Sequence, residues 1–253
     1  MTVSFDGMDV TWLGYACARI EGERGTVVYT DPGRYGTMDG TWNDQYGLEG
    51  HPDGREYRPE DADVVLVTHD HHYDSDGVER VSNDETVVVV YEAVDAENIG
   101  RDVAQPEELP YDVRRVGYDE ELVAADCAIE AVPAYNDPEG PRADPDGTVP
   151  HPEGFGCGFR FVVDGRACLW TGDSDVVEEQ EELDVSLFLP SIAQSFTMTR
   201  DEAAEMAEEL EPDLVVPIHY NTFSDLKSDS AAFAADVAKR AVPVALDEDG
   251  PDS

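Results

Sequence analysis

Residues 65–71 read VLVTHDH, an apolar run that ends in two histidines one residue apart. Such an uninterrupted apolar run is typical of a strand that is buried on both faces. Three further apolar runs also end in a residue that can bind metal, namely Asp31, Asp173 and His219. A strand end is where a rigid sheet presents a side chain to a loop, so a site built there is held firmly. These four segments predict that strand ends converge on an open metal site that holds an activated water.

The composition is that of a large globular protein with an extreme negative charge. The chain has 253 residues, 41% of them apolar, which is enough for one large α/β core. It carries 58 acidic and 16 basic residues, and only Lys227 and Lys239 are lysines. A cation-binding or nucleic-acid-mimicking surface would explain this charge, but its even spread along the chain favours solvation in concentrated salt. At ~1 M salt the Debye length is only ~3 Å, so the carboxylates repel one another weakly.

The same charge and the cysteines limit the partners and the compartment. No basic patch is present to neutralise phosphates, so we expect neither nucleic acid nor an anionic membrane as a partner. No signal peptide or apolar run of membrane length occurs. Cys17, Cys127, Cys157 and Cys168 lack a CxxC spacing and lie in predicted strands, which indicates buried reduced thiols. We predict a cytoplasmic protein of a halophilic microbe that acts on a small-molecule substrate; an oligomeric state stays open.

The hydrophobic pattern predicts one domain over residues 1–253. Thr199 and Glu202 form a capping box before a helix, and Asp164-Gly165 is a strong turn signal within a hairpin. Long loops are expected at 32–60 and 134–156. The other predicted elements are strands within 8–31 and at 64–68 and 86–91, short helices near 77–81 and 93–100, strands near 113–117, 121–124 and 127–132, strands 158–163, 167–171 and 187–189, helix 199–210, strand 214–218, helix 228–240 and strand 242–246. This order favours two sheets packed face to face with helices outside.

Six segments along the chain combine into one set of motifs. They are Thr11-Trp12-Leu13-Gly14; Tyr29-Thr30-Asp31-Pro32; Thr68-His69-Asp70-His71; Ala134-Tyr135-Asn136 with His151-Pro152 and Gly154-Phe155-Gly156-Cys157-Gly158; Thr171-Gly172-Asp173-Ser174; and Pro217-Ile218-His219-Tyr220. This set resembles the metallo-β-lactamase superfamily over nearly the whole chain. The resemblance implies an α/β fold, an αββα sandwich of two mixed β-sheets packed face to face with helices outside. The subgroup it resembles is a broad set of metal-dependent hydrolases that includes lactone- and phosphodiester-cleaving enzymes.

The third of these segments departs from the family pattern, which runs His-x-His-x-Asp-His. Residues 69–74 read HDHHYD, so Tyr73 takes the place of the aspartate and Asp74 the place of the last histidine. Asp74 remains able to bind metal, since carboxylate oxygen is a ligand for zinc, manganese and iron. His72 is the alternative, but on an extended chain its ring would point away from the two preceding histidines.

Two other positions also differ from the family pattern. Tyr15 stands where relatives often have histidine. Many relatives use a histidine directly after the strand that here ends at Ala134, whereas this chain has Tyr135-Asn136 there. The nearest histidine is His151, and because a His-Pro pair recurs in the subgroup, we assign His151 to the metal site. A ligand role for Asn136, with His151 as a loop residue in solvent, stays open.

The resemblance implies a site for two ions. His69, His71 and His151 would hold the first ion, Asp74 and His219 the second, and Asp173 would bridge them. The cofactor would be a divalent metal, with zinc preferred and manganese or iron as alternatives. A bridging water, deprotonated near neutral pH, would attack a carbonyl or phosphoryl centre. Asp74 would also orient this nucleophile as the catalytic residue, and Asp31 would fix the histidines by hydrogen bonds.

Three functions are compatible with these motifs. The first is a metal-dependent hydrolase that cleaves an ester, lactone or phosphodiester-type bond. The second, supported by the altered motif, is a metal-depleted relative that binds a ligand without catalysis. The third is a di-iron redox enzyme, which would need an electron-carrier domain or a separate partner. We expect the first, and the metal content of the purified protein separates the three.

Overall fold

The first sheet is built from the N-terminal strands. The computed structural model describes residues 2–33, 36 and 57–248 of the chain, so most of the predicted loop at 32–60 lies outside the described residues. Within this part, seven strands lie side by side in sequence order: β1 (Val3–Phe5), β2 (Met8–Gly14), β3 (Cys17–Glu21), β4 (Val27–Thr30), β5 (Ala62–Val67), β6 (Ser82–Tyr91) and β7 (Asp112–Val116). β1 to β4 are antiparallel neighbours, whereas β4 to β7 run parallel.

The second sheet is formed by the next six strands of the described chain. They are β8 (Glu121–Ala124), β9 (Cys127–Ala134), β10 (Gly156–Val163), β11 (Arg166–Trp170), β12 (Leu187–Leu189) and β13 (Leu214–Val215), in the spatial order β13-β12-β11-β10-β9-β8. β8 to β11 are antiparallel, and the predicted turn at Asp164-Gly165 joins β10 to β11. β11, β12 and β13 are parallel. Both sheets are therefore mixed.

The described chain also contains four α-helices, three of them near positions that the sequence indicated, whereas Glu178–Glu181 was not predicted. They are α1 (Ser75–Val81), α2 (Glu178–Glu181), α3 (Arg200–Leu210) and α4 (Ser230–Lys239). The predicted capping box is confirmed: Thr199 Oγ1 accepts a hydrogen bond from the Glu202 amide, and the Glu202 carboxylate accepts one from the Thr199 amide. These bonds satisfy backbone donors that the first turn of α3 cannot pair internally.

Three predicted elements are shorter in the structure. The strand expected at 214–218 ends at Val215, because Pro217 has no amide N–H to donate to a neighbouring strand. The last predicted strand is a single bridge between Val244 and Val215. The second predicted short helix is one 3-10 turn, Ala96–Asn98. None of these differences changes the order of the strands in the two sheets.

The buried core of the protein contains large aromatic side chains. Trp12 and Tyr29 of the first sheet and Phe159, Phe161 and Phe188 of the second are fully buried and belong to one continuous apolar cluster. Burying each such side chain contributes ~1.5–3 kcal/mol to folding. With its helices outside the sheets, the structure is the αββα sandwich that the sequence predicted. The assignment of residues 1–253 to one domain stays a prediction.

Two features bear on the expected compartment. All four cysteines are buried, and no disulfide joins them. Burial raises the pKa of the Cys127 thiol to about 12, so it is protonated at neutral pH and packs as a small apolar side chain. Among the described residues, no helix is long and apolar enough to cross a lipid bilayer.

One edge of the sandwich gathers the loops that carry the predicted ligands. The parallel pairing of β4 with β5 puts Asp31 beside the end of β5, where its amide donates to the Leu66 carbonyl at 2.8 Å. The amide of Cys157, at the start of β10, donates to the Thr68 carbonyl at 3.2 Å. This bond joins the two sheets, so the loops after β4 and β5 face those of the second sheet.

Gly172 links β11 to Asp173, and two constraints favour glycine there. Its φ is +63°, in the left-handed region, and a Cβ atom would lie 2.3 Å from the Cys157 carbonyl oxygen. Gly165, in the turn between β10 and β11, has φ +83° but no heavy atom within 4 Å of the Cβ position. The two glycines therefore separate the cost of a left-handed backbone from the cost of a steric clash.

We predict that Gly172→Ala lowers the free energy of unfolding more than Gly165→Ala does. Gly165→Ala should cost ~1 kcal/mol for the left-handed backbone alone. Gly172→Ala adds the clash and should cost ~2–4 kcal/mol. Denaturant unfolding of both variants in molar KCl measures the difference. Equal losses would contradict the close packing of the β11 end against β10.

Candidate metal centre

The chain turns immediately after β5, and this turn decides which histidines meet. The amides of His72 and Tyr73 both donate to the His69 carbonyl, each at 3.1 Å. A turn is needed here because α1 begins at Ser75, with Asp74 as its N-cap. The expectation that His72 points away on an extended chain is therefore wrong. Its ring centroid lies 4.1 Å from that of His69.

Asp173 lies at the centre of a cluster of histidines. Its carboxylate oxygens lie 3.4 Å from Nε2 of His151 and 3.6 Å from Nε2 of His69, His72 and His219. All five side chains are almost completely buried. These separations leave the Asp173 carboxylate and the ring nitrogens around a shared space.

The spacing of these side chains fits divalent metal ions. Two overlapping groups, His69 with His71 and His151, and His69 with His72 and Asp173, have ligand atoms within 4.8 Å of one another. His71 Nδ1 lies 3.2 Å from His151 Nε2, and His72 Nε2 lies 3.0 Å from His219 Nε2. A tetrahedral zinc ion with bonds of ~2.0–2.1 Å separates its ligand atoms by ~3.3 Å. The donor types and their spacing therefore suit a zinc-like ion.

Asp31 orients His72 by direct contact and His69 through the Thr68 hydroxyl. His72 Nδ1 lies 3.0 Å from Asp31 Oδ2, which directs Nε2 of that ring toward the centre of the cluster. Thr68 Oγ1 donates to Asp31 Oδ2 at 2.9 Å and lies 2.9 Å from His69 Nδ1. The Thr68 amide and the Trp170 indole N–H also donate to Asp31, each at 2.8 Å. Such contacts decide which ring nitrogen faces a metal.

Burial shifts the protonation of two groups at this site. It raises the pKa of the Asp31 carboxyl to about 7, although its hydrogen bonds favour the charged form. Burial and the neighbouring His71 lower the pKa of His151 to about 3, while the Phe196 carbonyl acts in the opposite direction. His151 is therefore neutral near pH 7, as an imidazole that binds metal must be.

Asp74, which the sequence assigned as a ligand and as the catalytic residue, lies outside both ligand groups. Its carboxylate accepts from the Asp76 amide at 3.1 Å as the cap of α1 and pairs with Arg101 at 3.1 Å. Asp70 accepts from the Asp95 amide at 2.8 Å, as expected for a residue that bonds backbone groups. The structure brings the other five assigned residues together: His69, His71, His151, Asp173 and His219.

His219 is positioned by its backbone and by Tyr15. Its φ is +57°, and its amide donates to the Tyr15 carbonyl at 3.0 Å. The Tyr15 ring centroid lies 4.6 Å from that of His219 and 4.9 Å from that of His72. Tyr15 therefore packs against two candidate ligands rather than supplying one.

A cavity of ≈ 340 Å³ adjoins the cluster. Four candidate ligands contribute to its lining: His71, His151, Asp173 and His219. Its other described lining residues are mainly apolar: Tyr15, Pro150, Phe196, Phe223 and Leu226, together with Asp225. This size suits a small molecule rather than a polymer.

The sequence analysis preferred Asp74 and kept His72 as the alternative, although a signal for the position of His72 was present. An aspartate at position 74 before Ser75-Asp76-Gly77 is a helix N-cap signal. A helix that starts there requires the chain to turn through residue 72. Asn136, the open alternative to His151, instead contacts the His151 ring, with Oδ1 3.2 Å from Nδ1.

Comparison with known proteins identifies relatives over most of the chain. The family described as "Beta-lactamase superfamily domain" matches residues 9–219. A UPF0173 metal-dependent hydrolase from Pelotomaculum thermopropionicum is 30% identical over 91% of this chain and 92% of its own length. A protein of the same name from Methanopyrus kandleri is 31% identical over 94% of both chains.

Solved structures share the fold. Igni18, a metallo hydrolase from Ignicoccus hospitalis, matches with a TM-score of 0.65 over 96% of both chains, at 17% identity. CmlA, a di-iron β-hydroxylase from Streptomyces venezuelae, matches with a TM-score of 0.59 over 95% of this chain and 53% of its own, at 17% identity. At such identities the likeness shows the fold alone. The family match and the sequence relatives show more: the chain belongs to the beta-lactamase superfamily and is a metal-dependent hydrolase.

Proposed function

We propose that this hydrolase cleaves an ester, lactone or phosphodiester-type bond in a small molecule. The observation that carries the proposal is Asp173, whose carboxylate lies 3.4–3.6 Å from ring nitrogens of four histidines. A carboxylate among imidazoles at this spacing is suited to hold two ions close together. The adjoining cavity of ≈ 340 Å³ leaves room for a substrate beside these ligands.

Each ion has its own candidate ligands. His69, His71 and His151 would hold the first, His72 and His219 the second, and Asp173 lies between the two sets. Such ions, when bound, lower the pKa of a coordinated water so that it can attack a carbonyl or phosphoryl centre near neutral pH. Asp31 keeps Nε2 of His72 directed into the site, and Thr68 does the same for His69.

Zinc is the metal that we propose, because imidazole and carboxylate ligands at tetrahedral spacing suit it. Manganese is an alternative, and the shared fold with CmlA, a di-iron enzyme, keeps iron as another. A metal-depleted relative that binds without catalysis is the second candidate, because residues 72–74 depart from the family motif. The position of His72 in the cluster favours a retained second ion.

We predict that His72→Ala removes one bound ion per chain and that Asp74→Ser removes none. His72 Nε2 lies 3.0 Å from His219 Nε2, whereas Asp74 caps α1 and pairs with Arg101. Serine keeps the capping function but is too short to reach the cluster. Metal content after dialysis in molar KCl, measured by plasma mass spectrometry, compares the two variants with the unaltered protein.

The assignment of Asp74 as ligand and catalytic residue stays a prediction until that comparison. Loss of an ion in Asp74→Ser, with full occupancy in His72→Ala, would support the assignment made from the sequence. His69→Ala affects both ligand groups and should lose metal and activity while the sheets keep their own core. Full metal occupancy in His69→Ala would contradict the entire site.

We predict that hydrolysis depends on the metal. A panel of esters, lactones and phosphodiesters, tested in molar KCl, should contain one class whose cleavage falls to background with chelator. Activity should return when zinc is added, and His69→Ala should be inactive under both conditions. A protein that holds one ion or none and cleaves none of the three classes would favour the metal-depleted binding relative.

We also propose that the protein works in the salt-rich cytoplasm of a halophilic microbe. Its formal net charge is −42, and its four buried cysteines form no disulfide. Carboxylates at this density repel one another in dilute buffer and destabilise the compact state. Salt screens that repulsion, so high ionic strength would be the natural condition for this surface.

We predict that the thermal unfolding midpoint rises steeply with KCl. Between ~0.1 M and ~1 M salt the Debye length falls from ~10 Å to ~3 Å, which weakens repulsion between surface carboxylates. Calorimetry across this range measures the midpoint, with sucrose as a control that excludes a general osmolyte effect. A midpoint independent of salt would argue against the halophilic interpretation.

A further inference from the structure

Asn136 is a fully buried residue whose amide groups are all paired. Its Oδ1 accepts from the His151 amide at 3.0 Å and lies 3.2 Å from His151 Nδ1. Its Nδ2 donates to Asp175 Oδ1 at 2.9 Å and to the Phe196 carbonyl at 3.0 Å. Its backbone amide donates to the His151 carbonyl at 2.8 Å. Asn136 therefore contacts both the backbone and the ring of a candidate metal ligand.

The partners of Asn136 dictate which way its amide points. A carboxylate and a carbonyl only accept hydrogen bonds, so Asp175 and Phe196 require the NH₂ group on their side. The His151 backbone N–H only donates, so it requires the oxygen. A flipped amide would place donor against donor and acceptor against acceptor at every one of these contacts. Oδ1 therefore faces the His151 ring.

A buried cation holds Asp175 in turn. Arg142, whose side chain is 5% exposed, pairs with Asp175 at 2.9 Å. It also donates to the Thr197 carbonyl and pairs with Glu202 of the capping box of α3. The amide of Asp137 donates to the second Asp175 oxygen at 3.0 Å. A continuous set of contacts thus runs from the start of α3 to the His151 ring.

We propose that Asn136 is a positioning residue that places the His151 proton on Nδ1 and so presents Nε2 to the metal. A neutral imidazole carries its proton on either nitrogen, and only the other nitrogen can bind metal. Because Asn136 Oδ1 only accepts, it selects the Nδ1–H form. His151 Nε2 then faces His71 Nδ1 at 3.2 Å and Asp173 Oδ2 at 3.4 Å. This inference rests on the metal site proposed above.

Two variants and a matched control test this role. Asn136→Ala removes the side-chain acceptor that faces the ring, while the Phe196 carbonyl remains. Asn136→Leu removes the same acceptor but keeps the approximate shape of the side chain. Asn83→Ala is the control, because the Asn83 amide donates to two backbone carbonyls near the start of β5, at the other end of the strand from the cluster.

Zinc affinity, measured by competition with a chromophoric chelator in molar KCl, is the first readout. We expect Asn136→Ala to weaken the binding of one ion by about 10–100-fold, as loss of a hydrogen bond to a ligating histidine typically does. Asn136→Leu should weaken zinc binding to a similar degree, and Asn83→Ala should bind zinc like the unaltered protein.

The thermal midpoints of metal-free and zinc-loaded protein are the second readout. A positioning role predicts that Asn136→Ala gains less from zinc loading than the unaltered protein does. A merely structural role lowers both midpoints equally, as Asn83→Ala should.

The proposal is overturned if Asn136→Ala or Asn136→Leu binds zinc as tightly as Asn83→Ala. If Asn136→Ala does not fold, Asn136→Leu takes its place in this comparison. Failure of the unaltered protein to bind any divalent ion would instead reject the metal site. The two failures are therefore distinguishable.

Discussion

The buried carboxylate of Asp31 is the interaction on which the rest of the site depends. It accepts hydrogen bonds from Thr68 after β5 and from Trp170 at the end of β11, so it joins the two sheets where their loops meet. It also holds His72 directly and orients His69 through the Thr68 hydroxyl. A buried carboxylate needs several donors, so neither sheet can shift at this edge without leaving it unsatisfied. The contacts that hold the sandwich together therefore also hold the candidate ligands.

His151 reaches the cluster in a different way, because it comes from the loop between β9 and β10. Loop residues are usually less firmly held than strand ends. Here two hydrogen bonds join the ends of the loop: the Asn136 amide donates to the His151 carbonyl, and the His151 amide donates to Asn136 Oδ1. Asp175 accepts a hydrogen bond from Asn136, and Arg142 pairs with both Asp175 and Glu202 at the start of α3. A candidate ligand supplied by a loop is thereby held by hydrogen bonds to its backbone and to its ring.

Two of the scarce cations have buried side chains and pair with carboxylates. Arg142 pairs with Asp175, and Arg19, whose side chain is 5% exposed, pairs with Asp61. Removing one member of such a pair is costly because the other charge stays in a low-dielectric environment. With 16 basic against 58 acidic residues, most carboxylates have no cationic partner and depend on solvent and salt. Arginine pairing thus stabilises these two carboxylates, whereas most surface carboxylates depend on solvent and salt.

The order of most strands, their burial and the positions of candidate ligands at strand ends were predictable from the sequence, because these features follow from local apolar runs. Those runs gave the sandwich and the segments that end in His69, Asp173 and His219. The choice between His72 and Asp74 was not predictable from the family pattern, because it depends on whether the chain turns before α1. The contact of Asn136 with His151, 15 residues away, was likewise hidden in the sequence. Local pattern determined the strands and the candidate ligands, whereas tertiary packing decided which side chains meet, because those contacts join segments that only the closed fold brings together.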